Sequence, residues 1–135
     1  MTLVVTRDRS GKMKHRVSVR QHEFIVDEPP ANGGDDLGPT PHELYDAALA
    51  SCKALTVVWY ANRKGIPLED VEVQLERDDS QERQGVYKLD ATMKFGGPLT
   101  DQQRQELLTV AGKCPVHRLM TQVTTEVTTR LAEEP

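Results

Sequence analysis

The feature that most constrains this 135-residue sequence is one long helix with a clear signal at each end. Thr40–Glu43 places Thr at the N-cap, Pro at the first helical position and Glu at the third, which is a capping box combined with the favoured proline. Gly65, followed by Pro67, marks the other end. The pattern predicts a helix from Pro41 to Lys64, about 36 Å long at about 1.5 Å per residue. The small side chains of Ala47–Ser51 allow other backbones to approach closely, so we expect a central helix.

The rest of the chain predicts short strands and two further helical segments. Thr100–Gln103 is a second capping box and opens a helix that runs to about Ala111. Pro115 favours a new short helical turn directly after Cys114. Alternating or β-branched segments predict strands at residues 2–7, 13–20, 22–27, 69–78, 86–95 and 121–129. This order is that of a single α+β domain over residues 1–135.

Composition excludes several classes of partner. The net charge of −4 and the mixed charge signs argue against a nucleic-acid partner, which would need a basic face. No segment approaches the roughly 20 apolar residues of a membrane helix, and the N-terminus lacks the pattern of a signal peptide, so we expect a cytoplasmic protein with no membrane partner. The hydrophobic fraction of 37% is low, which suggests that a partner subunit completes part of the core.

Two cysteines, at positions 52 and 114, are too few for the disulfide framework of a small secreted protein. Each is therefore either a buried apolar residue or a reactive thiol. Cys114 is expected at the start of the helical turn opened by Pro115, where unpaired N–H groups favour thiolate. His117 and Arg118 can add positive charge. Local chemistry therefore favours Cys114 as the reactive thiol.

Cys52 has a different position, in the middle of the long predicted helix. There it gains nothing from the dipole of its own helix, so it needs a positive partner from elsewhere in the fold, most plausibly an arginine. Lys53 is adjacent in the sequence, but we expect its side chain to point in another direction on the helix. The reactivity of Cys52 is thus not explained by its sequence neighbours.

Three segments closely resemble the motifs of the OsmC/Ohr family of osmotically inducible and organic hydroperoxide resistance proteins. They are Gly38–Leu44, Ala47–Cys52 and Cys114–Arg118, and the similarity extends over almost the whole chain. The resemblance implies an OsmC-like α+β fold with an N-terminal three-stranded sheet, a long central helix, a hairpin, a second helix and a final strand. It also implies an intertwined homodimer with two equivalent active sites at the subunit interface.

The resemblance further implies a thiol-dependent reduction of organic hydroperoxides. Cys52 would be the peroxidatic thiolate, which becomes a sulfenic acid, and Cys114 would be the resolving thiol that forms a disulfide with it. A thiol or dithiol reductant would then restore both thiols. No metal or organic cofactor is required.

In the hydroperoxide resistance branch, an arginine from the N-terminal sheet and a glutamate at the start of the central helix hold the thiolate. The glutamate lies ten residues before the cysteine there, and this position is His42 here, with Glu43 following it. Arg20 and Arg16 are candidates for the arginine, and Arg20 is preferred because it ends a strand beside a tight turn. These departures are typical of the broader OsmC-like branch, and they leave open whether His42 or Glu43 takes the carboxylate role. The resemblance thus implies a site of Cys52, Cys114, Glu43 and Arg20.

Two other interpretations are open from the sequence. The chain could be a non-catalytic or redox-sensing binding protein on the same fold, because a fold alone does not determine an activity. A zinc site made of Cys52, Cys114, His42 and His117 is disfavoured, since no closely spaced pair of ligands is present. Glu43 also has a sufficient structural role as the partner in the capping box. A thiol that reacts fast at neutral pH would distinguish an enzyme from an inert module.

Overall fold

A computed structural model of the chain describes residues 1–133 and confirms the α+β class. The strands are β1 (Leu3–Arg7), β2 (His15–Val19), β3 (His22–Val26), β4 (Asp70–Asp78) and β5 (Lys88–Gly96). The helices are α1 (Pro41–Lys64), α2 (Asp101–Ala111) and α3 (Pro115–Gln122). The helix that begins at Pro115 is thus longer than the single turn expected from the sequence.

The boundaries of α1 are those that the sequence predicts. The Glu43 N–H donates to the Thr40 hydroxyl at 3.1 Å, and the Thr40 N–H donates to the Glu43 carboxylate at 2.8 Å, which completes the capping box. Gly65 follows the helix with a φ of 68°, a left-handed conformation that costs glycine little. Within residues 1–133, no helix is both long and apolar enough to cross a membrane.

The chain forms two compact units, each made of two separate segments. The first unit combines Met1–Ala48 with Leu75–Asp90, and the second combines Leu49–Gln74 with the chain from Ala91 onward. Helix α1 and the β4–β5 hairpin therefore each contribute residues to both units. The single domain over residues 1–135 stays a prediction.

The first unit contains a three-stranded antiparallel sheet in the order β1-β2-β3. Val5 is paired with Val17, and Val17 with Phe24, so these apolar side chains share one face. Val17 is buried, whereas Val5 and Phe24 are largely exposed. Val4 pairs with Ser18 and lies on the opposite face. Three consecutive apolar residues in β1 leave the phase of its alternation undefined.

The second unit has a small core between α1 and α2. Its buried members are Val57 and Ala61 on α1 and Leu107 and Ala111 on α2, each pair one helical turn apart. Burying a leucine such as Leu107 contributes on the order of 1.5–3 kcal/mol. Partly buried apolar residues surround this core: Tyr60, Ile66, Leu68, Val71, Met93, Phe95, Leu99 and Val110. The predicted capping box at Thr100–Gln103 is present at the start of α2.

The final strand predicted at residues 121–129 is wrong. Thr121 and Gln122 belong to α3, and the described residues from 123 to 133 have no regular secondary structure. β-Branched residues favour a strand only where a neighbouring strand is available for pairing. In the part of the chain that the structure describes, no strand pairs with this segment, and Val127 is 80% exposed.

Candidate active site

The two cysteines lie close together in the second unit. Cys52 is on α1, Cys114 immediately precedes α3, and both thiols are free. The Val116 N–H, two residues after Cys114, donates to Cys52 Sγ at 3.4 Å, and the Cys52 thiol is close enough to raise the pKa of the Cys114 thiol. Within residues 1–133, no three His, Cys, Asp or Glu side chains are close enough together to hold a metal ion. The fold thus brings the predicted pair together.

Cys114 is fully buried and is the N-cap residue of α3. Burial raises the pKa of the Cys114 thiol above its ordinary value, and the neighbouring Cys52 thiol raises it further. The backbone N–H of His117 and the charge of Lys53 act in the opposite direction, but the net pKa shift is upward. The expectation that the helix N-terminus makes Cys114 the readily ionised thiol is therefore wrong. The contribution of the helix terminus is present, but the loss of solvation outweighs it.

Cys52 is half-buried, and α3 rather than its own helix supplies its polar contact. Val116 is the second residue of α3, and its N–H is one of the groups that a helix leaves without an intrahelical acceptor. That N–H donates to Cys52 Sγ, while the Thr56 hydroxyl lies 3.9 Å from the same sulfur. The positive end of α3 is thus directed at Cys52 as well as at Cys114. The Val116 N–H therefore supplies part of the positive charge that Cys52 needs from elsewhere in the fold.

Lys53 was not expected to be a partner of Cys52, and the structure places it beside the other cysteine instead. The side chain is buried, and its Nζ lies 3.0 Å from the Ala111 carbonyl oxygen and 3.1 Å from His117 Nδ1. Its positive charge lowers the pKa of the Cys114 thiol. A signal was present in the sequence, because Lys53 occupies a four-residue repeat whose other members form the buried stripe of α1. These members are Leu49, Val57 and Ala61.

Arg20 and Glu43 belong to the first unit. Arg20 occupies the turn between β2 and β3 with a φ of 53°, a conformation that is rare for a residue with a side chain. Arg16, the alternative, is held by ion pairs of 3.1 Å to both Asp8 and Glu23. Glu43 uses its carboxylate to cap α1. The catalytic assignment of Arg20 and Glu43 stays a prediction.

The first unit also holds a polar network at the start of α1 that the sequence did not suggest. Asp46 is buried and accepts hydrogen bonds from Arg77 at 2.7 Å and from the Tyr87 hydroxyl at 2.6 Å. Burial, together with this bond to the carboxylate, raises the pKa of Tyr87 to about 12, so the phenol stays neutral. His42 Nε2 lies 3.1 Å from the Glu82 carboxylate. These contacts account for the polar side chains on this turn of the helix.

Comparison with protein families identifies the chain's relatives. Residues 33–130 match the family model described as OsmC-like protein, and they include both cysteines. The chain belongs to the OsmC-like family. A search of curated proteins found no match.

Solved structures share the fold of this OsmC-like chain. An OsmC-like protein of Mycoplasma pneumoniae is 16% identical with a TM-score of 0.72, over 90% of this chain and 87% of that one. An organic hydroperoxide resistance protein OsmC of Legionella pneumophila is 20% identical with a TM-score of 0.66, over 90% of each chain. The organic hydroperoxide resistance protein OhrB of Bacillus subtilis is 23% identical with a TM-score of 0.58, over 90% of this chain and 92% of that one. At these identities the similarity establishes the fold.

Proposed function

We propose that this OsmC-like protein reduces organic hydroperoxides, with Cys52 as the peroxidatic thiol and Cys114 as the resolving thiol. The observation that carries the proposal is the close approach of two free thiols at the N-terminus of α3. The family match and the similarity to hydroperoxide resistance proteins support the same substrate class.

In the first step, the Cys52 thiolate attacks the distal oxygen of ROOH. An S–O bond forms and the O–O bond breaks, so the sulfur is oxidised to a sulfenic acid while the alkoxide takes a proton and leaves as ROH. The Val116 N–H, which donates to Cys52 Sγ, supports this role because a donor at the sulfur stabilises a thiolate. The partial exposure of Cys52 also favours it over the fully buried Cys114 as the thiol that meets the peroxide.

In the second step, Cys114 attacks the sulfur of the Cys52 sulfenic acid. An S–S bond forms and hydroxide leaves, taking up the proton that the Cys114 thiol has lost, so the product is water. An external thiol or dithiol then reduces the disulfide by exchange. The proximity of the two thiols supports a resolving role for Cys114 without a large rearrangement.

We assign the activation of Cys52 to Arg20, and the carboxylate role at the thiolate to Glu43, on the basis of the family resemblance. The strained backbone of Arg20 supports the choice, because such conformations concentrate at functional sites. Within residues 1–133, no carboxylate lies within salt-bridge distance of Arg20, whereas Arg16 already has two. Of the two candidates, Arg20 is therefore the one whose charge is not paired with a carboxylate of residues 1–133.

We also propose that the native protein is a homodimer. The apolar face of the β1-β2-β3 sheet borders a groove of about 470 Å³ and leaves Leu3, Val5 and Phe24 exposed. On α1, Leu55 and Trp59 are more than half exposed. Exposed apolar side chains grouped on one face mark association sites. Sedimentation that shows a compact 15.1 kDa monomer at micromolar concentration would exclude the dimer.

Consumption of a panel of organic hydroperoxides, with and without a dithiol, tests the activity directly. The enzyme should turn over repeatedly with the dithiol and should consume about one equivalent without it. Mass spectrometry should then find the Cys52 and Cys114 peptides crosslinked. If no hydroperoxide is consumed and neither thiol reacts rapidly at neutral pH, the chain is a binding module. A protein that forms the disulfide once, but is not turned over by any reductant, is a redox sensor.

A further inference from the structure

Lys53 is a cation in an unusual place, because its side chain is buried and pairs with no carboxylate of the described residues. Its exposed fraction is 5%, and an isolated charge is costly to bury. Among residues 1–133, no carboxylate lies within salt-bridge distance of its ammonium. Its partners are the Ala111 carbonyl oxygen and His117 Nδ1, and neither is a carboxylate. Among the described residues, the charge of Lys53 therefore has no carboxylate counter-ion.

The groups around Lys53 come from three helices and converge on Cys114. The end of α2 supplies the Ala111 carbonyl, which also accepts the Cys114 N–H at 3.4 Å. The start of α3 supplies His117, whose ring Nδ1 contacts Lys53 and whose backbone N–H lowers the pKa of the Cys114 thiol. Helix α1 supplies Cys52, whose thiol is close enough to raise that pKa. Lys53 thus ties α1 to the chain on both sides of Cys114.

We propose that Lys53 is a positioning residue for the second half of the reaction, in which its buried ammonium is the counter-ion of the Cys114 thiolate that attacks the Cys52 sulfenic acid. This inference rests on the proposed function and assigns it a further residue. Cys114 loses its proton to the departing hydroxide, the S–S bond forms and the S–OH bond breaks, and Lys53 gains and loses no proton. Its two hydrogen bonds hold the resolving segment against α1 throughout.

The electrostatics of Cys114 agree with this geometry. Burial raises the pKa of Cys114, and Lys53 is the only full positive charge among the groups that lower it. An opposite charge at close range shifts a pKa by about 1–3 units. Removing the charge of Lys53 should therefore raise the pKa of the Cys114 thiol further. Removing an exposed lysine nearby should have little effect, because solvent screens it.

The test measures thiolate formation at Cys114 through the ultraviolet absorbance of the thiolate, in a Cys52→Ser background where Cys114 is the remaining thiol. Lys53→Met removes the charge and the hydrogen bonds, whereas Lys53→Gln removes the charge but keeps a donor. Lys53→Arg keeps the charge. Lys113→Met is the matched control, since Lys113 directly precedes Cys114 but is exposed. Lys53→Gln also provides the answer if Lys53→Met fails to fold.

We expect the titration midpoint of Cys114 to rise by about one pH unit or more in both neutral variants. It should change little in Lys53→Arg and Lys113→Met. With Cys52 restored, the neutral variants should form the disulfide from the sulfenate about tenfold more slowly at neutral pH. Equal midpoints for Lys53→Gln and Lys113→Met would overturn the inference. The titration needs no peroxide, so it is independent of whether the unsubstituted protein consumes a hydroperoxide.

Discussion

Cys52 and Cys114 belong to the same unit, but the helices around them treat their sulfur atoms differently. Cys52 lies in the middle of α1, half-buried, and receives an N–H from the first turn of α3. Cys114 lies at the N-terminus of α3 itself, a position that predicts the more acidic thiol of the two. It is nevertheless fully buried, and the pKa of its thiol is raised. The position of Cys114 on its own helix therefore does not by itself predict the direction of its pKa shift.

The difference shows that a helix terminus acts through space rather than along the sequence. The N–H groups at the start of α3 reach Cys52 through Val116 and Cys114 through His117, so both thiols share the same partial charge. What separates them is solvation, because burial penalises the charged form of Cys114. This asymmetry suits a pair in which one thiol meets the substrate and the other waits for its product.

The largest expected effect is the loss of one thiol at a time. Cys52→Ser should abolish hydroperoxide reduction and leave no sulfenic acid, because the attacking sulfur is missing. Cys114→Ser should still consume about one equivalent and then stall as the sulfenate, because no resolving thiol is present. Single-turnover peroxide consumption with trapping of the sulfenic acid distinguishes the two variants.

The reverse result would exchange the roles. If Cys52→Ser keeps its single-turnover burst while Cys114→Ser loses it, then the charge at the start of α3 controls reactivity in spite of burial. Wild-type protein in which peroxide yields sulfinic acid at Cys52, with Cys114 still reduced, would remove Cys114 from the resolving role.

The second expected effect concerns the pH dependence of disulfide formation. Because the pKa of Cys114 is raised, its thiolate is scarce at neutral pH, and the thiolate fraction grows about tenfold per pH unit. The step from sulfenate to disulfide should therefore accelerate with pH and continue to do so above about 8.5, where a free cysteine levels off. Stopped-flow measurement after one equivalent of peroxide checks this. A rate that levels off below that pH would contradict the assigned burial of Cys114.

The sequence was sufficient for most of the fold because its helix ends carry local chemical signals. Thr40 and Glu43 cap α1, and Gly65 ends it, by contacts between residues that are near one another in the chain. The predicted strand at residues 121–129 failed for the opposite reason, because a strand needs a partner that is distant in the sequence. Local signals were reliable, and an element defined by non-local pairing was not.

The candidate site divides in the same way. The resemblance to the family motifs predicted that Cys52 and Cys114 form one site. The residues next to each cysteine in the sequence did not predict this pairing. The roles of Lys53 and Val116 were missed, since both act across helix contacts that appear only after folding. Lys53 did have a visible signal in its buried four-residue repeat, but a lysine in such a repeat is usually assumed to reach solvent.

The third expected effect separates the two candidate arginines. Arg20→Ala should slow the oxidation of Cys52 by hydroperoxide about tenfold, because it removes the positive charge proposed to stabilise the thiolate. Arg16→Ala is the matched control, and it should change the rate little, since Arg16 is engaged with Asp8 and Glu23. Stopped-flow oxidation rates measure both. Equal losses in the two variants would indicate that the sheet, rather than a particular guanidinium, is being disturbed.

The smallest expected effect tests which neighbour supports the Cys52 sulfur. The Thr56 hydroxyl lies 3.9 Å from Sγ, at the outer limit for a sulfur hydrogen bond, whereas the Val116 N–H is at 3.4 Å. A weak bond of this kind contributes on the order of 0.5 kcal/mol, so Thr56→Val should slow the oxidation of Cys52 only about twofold. Thr109→Val is the control, because that exposed hydroxyl donates to the Gln105 carbonyl within α2. A tenfold loss confined to Thr56→Val would mean that the hydroxyl, rather than the start of α3, is the main donor to Cys52. The distinction between the two thiols would then originate in α1 itself.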